Sequence, residues 1–142
     1  MRIALGSDER TELTEALEKQ LSERGHDAVL IGALQPGDDE AWPDVGRRVG
    51  EAVASGECRF GIVCCWTGTG VSIAANKVAG VRAALCADAQ TARGARVWND
   101  ANVLALSLRA TSPALAEEML EAWLSAEPTQ DPKYAPMISR IP

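Results

Sequence analysis

The segment with the clearest chemical potential is CCWTGTG at residues 64–70. Cys65 stands at the end of an apolar run, a glycine-rich turn follows, and a helical pattern begins near residue 71. The first N–H groups of a helix have no intrahelical partner, and the positive end of the helix favours anions. Gly68 and Gly70 let the backbone approach a ligand closely. The segment therefore predicts a ligand site in which a thiol lies beside a set of N–H donors.

The predicted junction is suited to one class of reaction. A helix N-terminus makes a nearby thiol a better base, and the N–H donors can hold an oxyanion, each contributing roughly 3 kcal/mol in well-studied enzymes. A base beside such donors can remove the proton next to a carbonyl and produce an enediolate. A phosphate-binding loop and a dinucleotide-binding loop both fit poorly, because G-x-x-x-x-G-K-[ST] is absent and GSDE at residues 6–9 lacks G-x-G-x-x-G. A junction that only packs stays open as an alternative.

The four cysteines match neither a disulfide framework nor a zinc pattern. Adjacent Cys64 and Cys65 would point to opposite faces of a strand, so we expect them not to clamp one metal. Disulfide chemistry between them is also disfavoured, because adjacent cysteines close only a strained ring. We therefore expect no metal and no cofactor, a buried structural thiol at Cys64, and a cytoplasmic protein with reduced thiols.

The elements that must position this segment alternate between short apolar runs and helical patterns. Strands are predicted at residues 2–6, 27–32, 59–65, 81–86 and 102–107, and helices at residues 11–24, 44–55, 71–78, 89–97 and from Ser112-Pro113 onward. Such alternation is typical of an α/β fold, here a three-layer αβα sandwich with a five-stranded parallel Rossmann-like sheet. Ligands of these folds bind outside the carboxyl ends of the strands.

Length and charge limit the function classes. The 142 residues suggest one α/β domain at 1–127 and a tail at 128–142, which carries four prolines and is predicted to run extended over its own surface or a partner's. A net charge of −6 makes nucleic acid and anionic membrane poor partners. No run of ~18 apolar residues suggests a membrane span. The first residues are too short an apolar run for a secretion signal.

Three strings carry a resemblance to a known family. They are C-x-T-G-x-G-x-S-I-A-A-N-K from Cys65, G-x-R-A at residues 80–83 and N-D-x-N-V-L-A at residues 99–105, preceded by the opening I-A-L-G-S-D. In this order they resemble the type B ribose-5-phosphate isomerase and galactose-6-phosphate isomerase family over roughly residues 2–126. The resemblance implies an aldose–ketose isomerase that uses neither metal nor organic cofactor, and a homodimer or homotetramer with each active site at a subunit interface.

The resemblance also implies roles for particular residues. Cys65 matches the general base of the family. The remaining matches are the oxyanion loop at Thr67, Gly68, Thr69 and Gly70, the first-loop aspartate at Asp8, the asparagine near the sugar at Asn99, and a phosphate-binding arginine at Arg109.

The departures from the family pattern fall on the same loops. Glu9 and Trp98 stand where the family has histidines, the second of which opens the sugar ring. Trp66 stands where a glycine follows the cysteine, and Trp42 lies in A-W-P in place of D-Y-P. In the tail, Lys133 with Tyr134 and Met137 is the nearest match to the G-R-H-x-x-R of the family, whose arginines hold the phosphate across the interface. Trp42, Trp66 and Trp98 are therefore predicted on loops as aromatic walls of a remodelled pocket, with ordinary packing as the alternative.

Two functions remain. The first is a sugar isomerase, with a substrate that is sugar phosphate or sugar, in which Cys65 transfers the proton. The second is a non-catalytic or altered-specificity sugar- or anion-binding homologue, which the loss of both histidines favours. For the enzyme, the ring-opening acid stays open among Asp8, Glu9, Asp44 and Asp100. His26, the only histidine, is predicted on the surface, far from the pocket loops.

Overall fold

In a computed structural model of the chain, which describes residues 1–142, five strands alternate with six helices. The strands are β1 (Arg2–Ser7), β2 (Asp27–Gly32), β3 (Phe60–Cys65), β4 (Ala83–Leu85) and β5 (Val103–Ser107). The helices are α1 (Glu12–Glu23), α2 (Trp42–Ala54), α3 (Thr69–Asn76), α4 (Ala89–Asn99), α5 (Pro113–Leu124) and α6 (Ala135–Ile138). The predicted α/β fold with five strands is confirmed.

All strand pairs are parallel, in the order β2-β1-β3-β5-β4. Ser7 pairs with Cys64, and Cys65 pairs with Ser107, so β1, β3 and β5 end at one edge of the sheet. We call this the carboxyl edge and the opposite one the amino edge. From β1 the chain crosses to β2 on one side, whereas from β3 it crosses to β4 on the other side, so the connections diverge between β1 and β3. Ligands of such sheets bind at this kind of switch point.

The two faces of the sheet carry separate apolar cores. Cys64 belongs to the core that α1, α4 and α5 cover, whereas Cys65 belongs to the core under α2 and α3. The prediction that these neighbouring thiols point to opposite faces is thus confirmed. The strict alternation of β3 between two buried faces explains why its sequence is apolar throughout.

Capping residues set where the helices begin. The Asp88 side chain accepts a hydrogen bond from Thr91 N and caps α4, and Ser112 accepts one from Leu115 N at the start of α5, where Pro113 follows. Serine as the N-cap of α5 with proline at its first position is as predicted. α3 has no side-chain cap, since glycine stands at its N-cap position.

Several boundaries differ from the sequence prediction. Trp42 is the first residue of α2 and Trp98 lies in the last turn of α4, so neither stands on a loop. Pro43 allows the earlier start of α2, because its fixed φ suits the first turn of a helix. β4 is shorter than predicted, with three residues, and it pairs only with β5.

The tail is not extended throughout, which corrects the prediction for residues 128–142. Its residues Ala135–Ile138 form the single turn α6. Thr129 N donates to Val97 O at 2.8 Å, and the Tyr134 ring meets the Trp98 ring edge-on at 5.2 Å between centroids. These contacts hold the tail against the end of α4 of its own chain. None of the helices is both long enough and apolar enough to cross a membrane.

Candidate active site

The junction between β3 and α3 requires glycine at position 68. Gly68 has φ +77°, a left-handed conformation that side chains other than glycine rarely adopt. A Cβ there would lie 2.6 Å from Leu85 Cδ1 and 2.8 Å from the Leu106 carbonyl carbon. The turn is therefore packed directly onto the backbone of β5, and this contact fixes the start of α3.

The loop presents hydroxyls and N–H donors on the carboxyl edge. Thr67 and Thr69 are exposed, with their hydroxyl oxygens 2.8 Å apart. The N–H groups of the first turn of α3 have no carbonyl one turn earlier to bind. The Trp42 ring packs over this turn, since a Cβ at Gly70 would lie 2.8 Å from its Cε3 atom. An anion at this edge would meet backbone donors on one side and an indole nearby.

Cys65 ends β3 immediately before this loop. The residue is 5% exposed, and Val71 and Ala75 of α3 belong to the same apolar core. Cys64, in contrast, is 0% exposed, and burial raises the pKa of its thiol far above the ordinary value. Burial also raises the pKa of the Cys86 thiol to about 11. Cys64 and Cys86 are thus held in the neutral form, which makes them poor bases.

Asp8 follows β1 on the same edge, one residue after the pair formed by Ser7 and Cys64. Ser7 Oγ donates to Glu9 O at 2.6 Å and accepts from Glu9 N at 3.2 Å, which fixes the shape of this loop. Asp8 is half-buried and Glu9 is exposed. Burial, and to a lesser extent the Glu9 charge, raises the pKa of Asp8 against the opposing effect of a backbone hydrogen bond.

The end of β5 is tied to the glycine-rich loop through the Trp66 carbonyl. This oxygen accepts hydrogen bonds from Arg109 N at 3.1 Å and from Ser107 Oγ at 2.9 Å. Thr67, Ser107 and Arg109 line a cleft of about 390 Å³, and Cys65 lies outside its lining. The Arg109 guanidinium is exposed and forms no salt bridge, so it is free to meet an anion.

Three of the predicted site residues lie elsewhere. α4 ends at Asn99, and the chain then returns to the amino edge to begin β5 at Val103. Since strand residues rise about 3.3 Å each, the length of β5 puts the two edges about 13 Å apart. Trp98 and Asn99 line a second cleft of about 440 Å³ between α4 and α6, and Lys133 lies in the adjoining tail. A single chain therefore does not bring Trp98, Asn99 and Lys133 together with Cys65.

Comparison with known proteins shows to which family the chain belongs. A family model described as Ribose/Galactose Isomerase matches residues 3–141. The chain belongs to this family.

The D-erythrulose-4-phosphate isomerase of Pectobacterium atrosepticum is 38% identical over 128 residues, which are 89% of this chain and 84% of that protein. The ribose-5-phosphate isomerase B of Escherichia coli is 41% identical over 107 residues, 75% of this chain and 71% of that one. Among solved structures, the ribose-5-phosphate isomerase B of Clostridium thermocellum superposes with a TM-score of 0.88 at 41% identity, covering 99% and 95% of the two chains.

In this member of the ribose/galactose isomerase family, Arg82 and Arg96 bind the carboxylate of Asp100, and we call these three side chains the Asp100 clamp. The sequence did not predict it. Asp100 follows Asn99 and is the only non-glycine residue with positive φ, at 47°. Arg96 Nη1 donates to its Oδ1 at 2.8 Å and Arg82 Nη2 to its Oδ2 at 3.1 Å. Arg96 is 1% exposed, with its guanidinium 4.6 Å from the centre of the Phe60 ring. The arginine four residues before Asp100 was the available signal.

The Asp100 clamp reduces the number of side chains that could act as the ring-opening acid. Asp100 is committed to two arginines, and Asp44, at the start of α2, lies 3.5 Å from Arg47. Asp8 and Glu9 alone remain beside the cysteine loop. The single histidine, His26, lies next to β2 at the amino edge, where its Nδ1 is 3.3 Å from the amino terminus. No three His, Cys, Asp or Glu side chains are placed to hold a metal ion.

Proposed function

We propose that this member of the ribose/galactose isomerase family interconverts an aldose and a ketose by proton transfer through Cys65. The observation that carries the proposal is the placement of this thiol between the end of β3 and the N-terminal turn of α3. The Cys65 thiolate takes the proton from the carbon next to the carbonyl, and the C–H electrons form the double bond of an enediolate. The same thiol then delivers the proton to the neighbouring carbon.

The surrounding residues stabilise the charge that develops in this step. The first N–H groups of α3 and the hydroxyls of Thr67 and Thr69 face the oxygen that becomes negative. Asp8, on the neighbouring loop, is placed to exchange a proton with a sugar hydroxyl. Arg109 meets the anionic end of the substrate, because its guanidinium is free and lines the adjacent cleft.

The complete site is proposed to need two copies of the chain. Asn99 and the tail lie at the amino edge, which the length of β5 puts about 13 Å from the carboxyl edge and Cys65. Their cleft is open and apolar, with Trp98 at 51% and Met137 at 52% exposure. A second chain in a homodimer or homotetramer would set Asn99, Trp98 and Lys133 over Cys65. Trp66, which is 62% exposed, would then form an aromatic wall from the cysteine side.

The substrate class follows from the relatives and from the charges. The names of the relatives print sugar phosphates with four, five and six carbons and one four-carbon sulfosugar, and we take the four- and five-carbon sugar phosphates as the candidates here. Arg109 and Lys133 are our candidate cations for a terminal phosphate, one from each edge. The four cysteines are unpaired, which supports a reducing compartment such as the cytoplasm.

Proton exchange in heavy water tests this function. The protein is incubated with sugar phosphates in D₂O, and deuterium entering the carbon next to the carbonyl is measured by NMR. We expect exchange to be lost in Cys65→Ala and kept in Cys64→Ala, the matched control on the opposite face of the same strand. Exchange that survives in Cys65→Ala would assign the base to another group.

The second candidate function is a sugar-binding homologue without catalysis. The observation that favours it is the absence of an imidazole from both clefts; Trp98 lines the cleft beside α6, and Glu9 is exposed on the loop after β1. In this case calorimetry would detect sugar phosphate binding that depends on Arg109, while no sugar would exchange deuterium in the wild-type protein.

A further inference from the structure

Sugars that form rings must be opened before an enediolate can form. In a five-carbon aldose 5-phosphate the C4 hydroxyl closes a ring on C1. Opening this ring breaks the bond between C1 and the ring oxygen, gives that oxygen a proton, and removes the proton of the C1 hydroxyl to leave a carbonyl. An enzyme therefore supplies an acid and a base on two different oxygens, in addition to the base that acts at carbon.

The carboxyl edge, where Cys65 lies, has few side chains that could open a sugar ring. On the loops that follow β1, β3 and β5, Asp8 is the only half-buried titratable side chain. Arg109 cannot give up its proton, and Glu9 is exposed to solvent. One half-buried carboxyl can fill one of the two roles.

The opposite edge offers neither an imidazole nor a carboxyl for these roles. Its cleft is lined by Trp98, Asn99, Tyr134, Met137, Ile138 and Ile141, and the phenol of Tyr134 is its one ionisable group. A phenol is a much weaker acid than an imidazolium or a carboxyl. Asp100, next to Asn99, is bound by two arginines. The indole of Trp98 packs edge-on against Tyr134 and donates only through its N–H, which is not an acid in water.

We propose that this site takes substrates in open-chain form only, so that its substrates are sugars that cannot close a ring, the shortest being the four-carbon sugar esterified at C4. This inference rests on the proposed function. A phosphate on O4 removes the hydroxyl that would close a five-membered ring, and closure through O3 would give a strained four-membered ring. Such a sugar forms no ring, so the site needs no ring-opening pair to act on its carbonyl.

Three substrates separate ring closure from chain length. They are erythrose 4-phosphate, ribose 5-phosphate, and 4-deoxyribose 5-phosphate, a five-carbon sugar that lacks the ring-closing hydroxyl. Deuterium exchange is measured for each at several concentrations of wild-type protein, with Cys65→Ala as the blank. For the two sugars without rings, we expect a fourfold rise in protein to raise the exchange rate about fourfold. For ribose 5-phosphate, the rate stops rising, because uncatalysed ring opening limits it.

Each contrary result has its own meaning. Ribose 5-phosphate exchange that stays proportional to protein concentration would overturn the inference, and its loss in Asp8→Asn would identify Asp8 as the ring-opening group. Exchange from erythrose 4-phosphate but not from 4-deoxyribose 5-phosphate would overturn it too, since chain length alone would then select the substrate. Absence of Cys65-dependent exchange from all three sugars would refute the proposed function, and the inference with it.

Discussion

Replacing Gly68 by alanine tests whether the cysteine loop is held by its contact with β5. Gly68 has φ +77°, and its added Cβ would lie 2.8 Å and 2.9 Å from the carbonyl carbon and oxygen of Leu106. Gly25 has the same φ of +77° with nothing within 4 Å, so Gly25→Ala is the matched control. Both variants lose the same glycine freedom in the unfolded chain, which cancels in the comparison.

The two variants should differ by the cost of the contact. A left-handed conformation costs an alanine about 1–2 kcal/mol, and both variants carry this cost. Forcing a methyl group into a packed site adds about 1–3 kcal/mol, and only Gly68→Ala carries this cost. Urea unfolding should therefore show Gly68→Ala to be less stable than Gly25→Ala by about 1–3 kcal/mol.

The rate of deuterium exchange is the second quantity to measure for Gly68→Ala and Gly25→Ala. Because Gly68 caps α3, its displacement moves the N–H donors, so we expect folded Gly68→Ala to lose most deuterium exchange. Gly25→Ala, after α1, should keep it. Equal stability of the two variants, or full exchange in Gly68→Ala, would refute the account of this loop.

Three more predictions concern single side chains. Asp100→Ala should cost about 3–5 kcal/mol in urea unfolding because it leaves the buried Arg96 charge without its carboxylate, and Asp100→Asn should cost less because asparagine tolerates positive φ and keeps an acceptor. Hydrogen bonds from Thr91 lower the pKa of Asp88. The Asp88 carboxylate therefore stabilises the fold fully above its ordinary pKa, and this stabilisation is lost as the pH falls through the lowered value. The free energy of unfolding of Asp88→Ala should therefore depend less steeply on pH below about pH 4 than that of the wild type. Trp98→His should make the exchange rate of ribose 5-phosphate proportional to protein concentration, since an imidazole can open the ring. A rate that still stops rising at high protein concentration would contradict the placement of residue 98 in the site.

The cysteine loop was predictable because its signals are local. An apolar run, two glycines and a helical pattern lie within a dozen residues, and each has a direct physical meaning in φ or in burial. The opposite faces of Cys64 and Cys65 follow from the two-residue period of a strand. Local signals likewise predicted Ser112 as the N-cap of α5 and Pro113 at its first position.

Residues that depend on distant contacts were harder to predict. Trp98 and Asn99 lie on the other edge because α4 runs back across the sheet, which shows in the topology rather than in their own sequence. The Asp100 clamp joins residues 18 positions apart, Arg82 and Asp100, so only its Arg96 half had a local signal. The turn in the tail forms because Tyr134 packs on Trp98, a contact that four prolines do not suggest.

Mixing two inactive variants tests the central claim most directly, that Cys65 of one chain works with Asn99 of another. Cys65→Ala and Asn99→Ala proteins are unfolded together, refolded as a mixture, and assayed for deuterium exchange against each variant refolded alone. We predict recovery of about a quarter of the wild-type rate, because half of randomly assembled dimers are hybrids and each hybrid has one intact site of two. No recovery in a mixture that light scattering proves to contain dimers would contradict a site shared between chains.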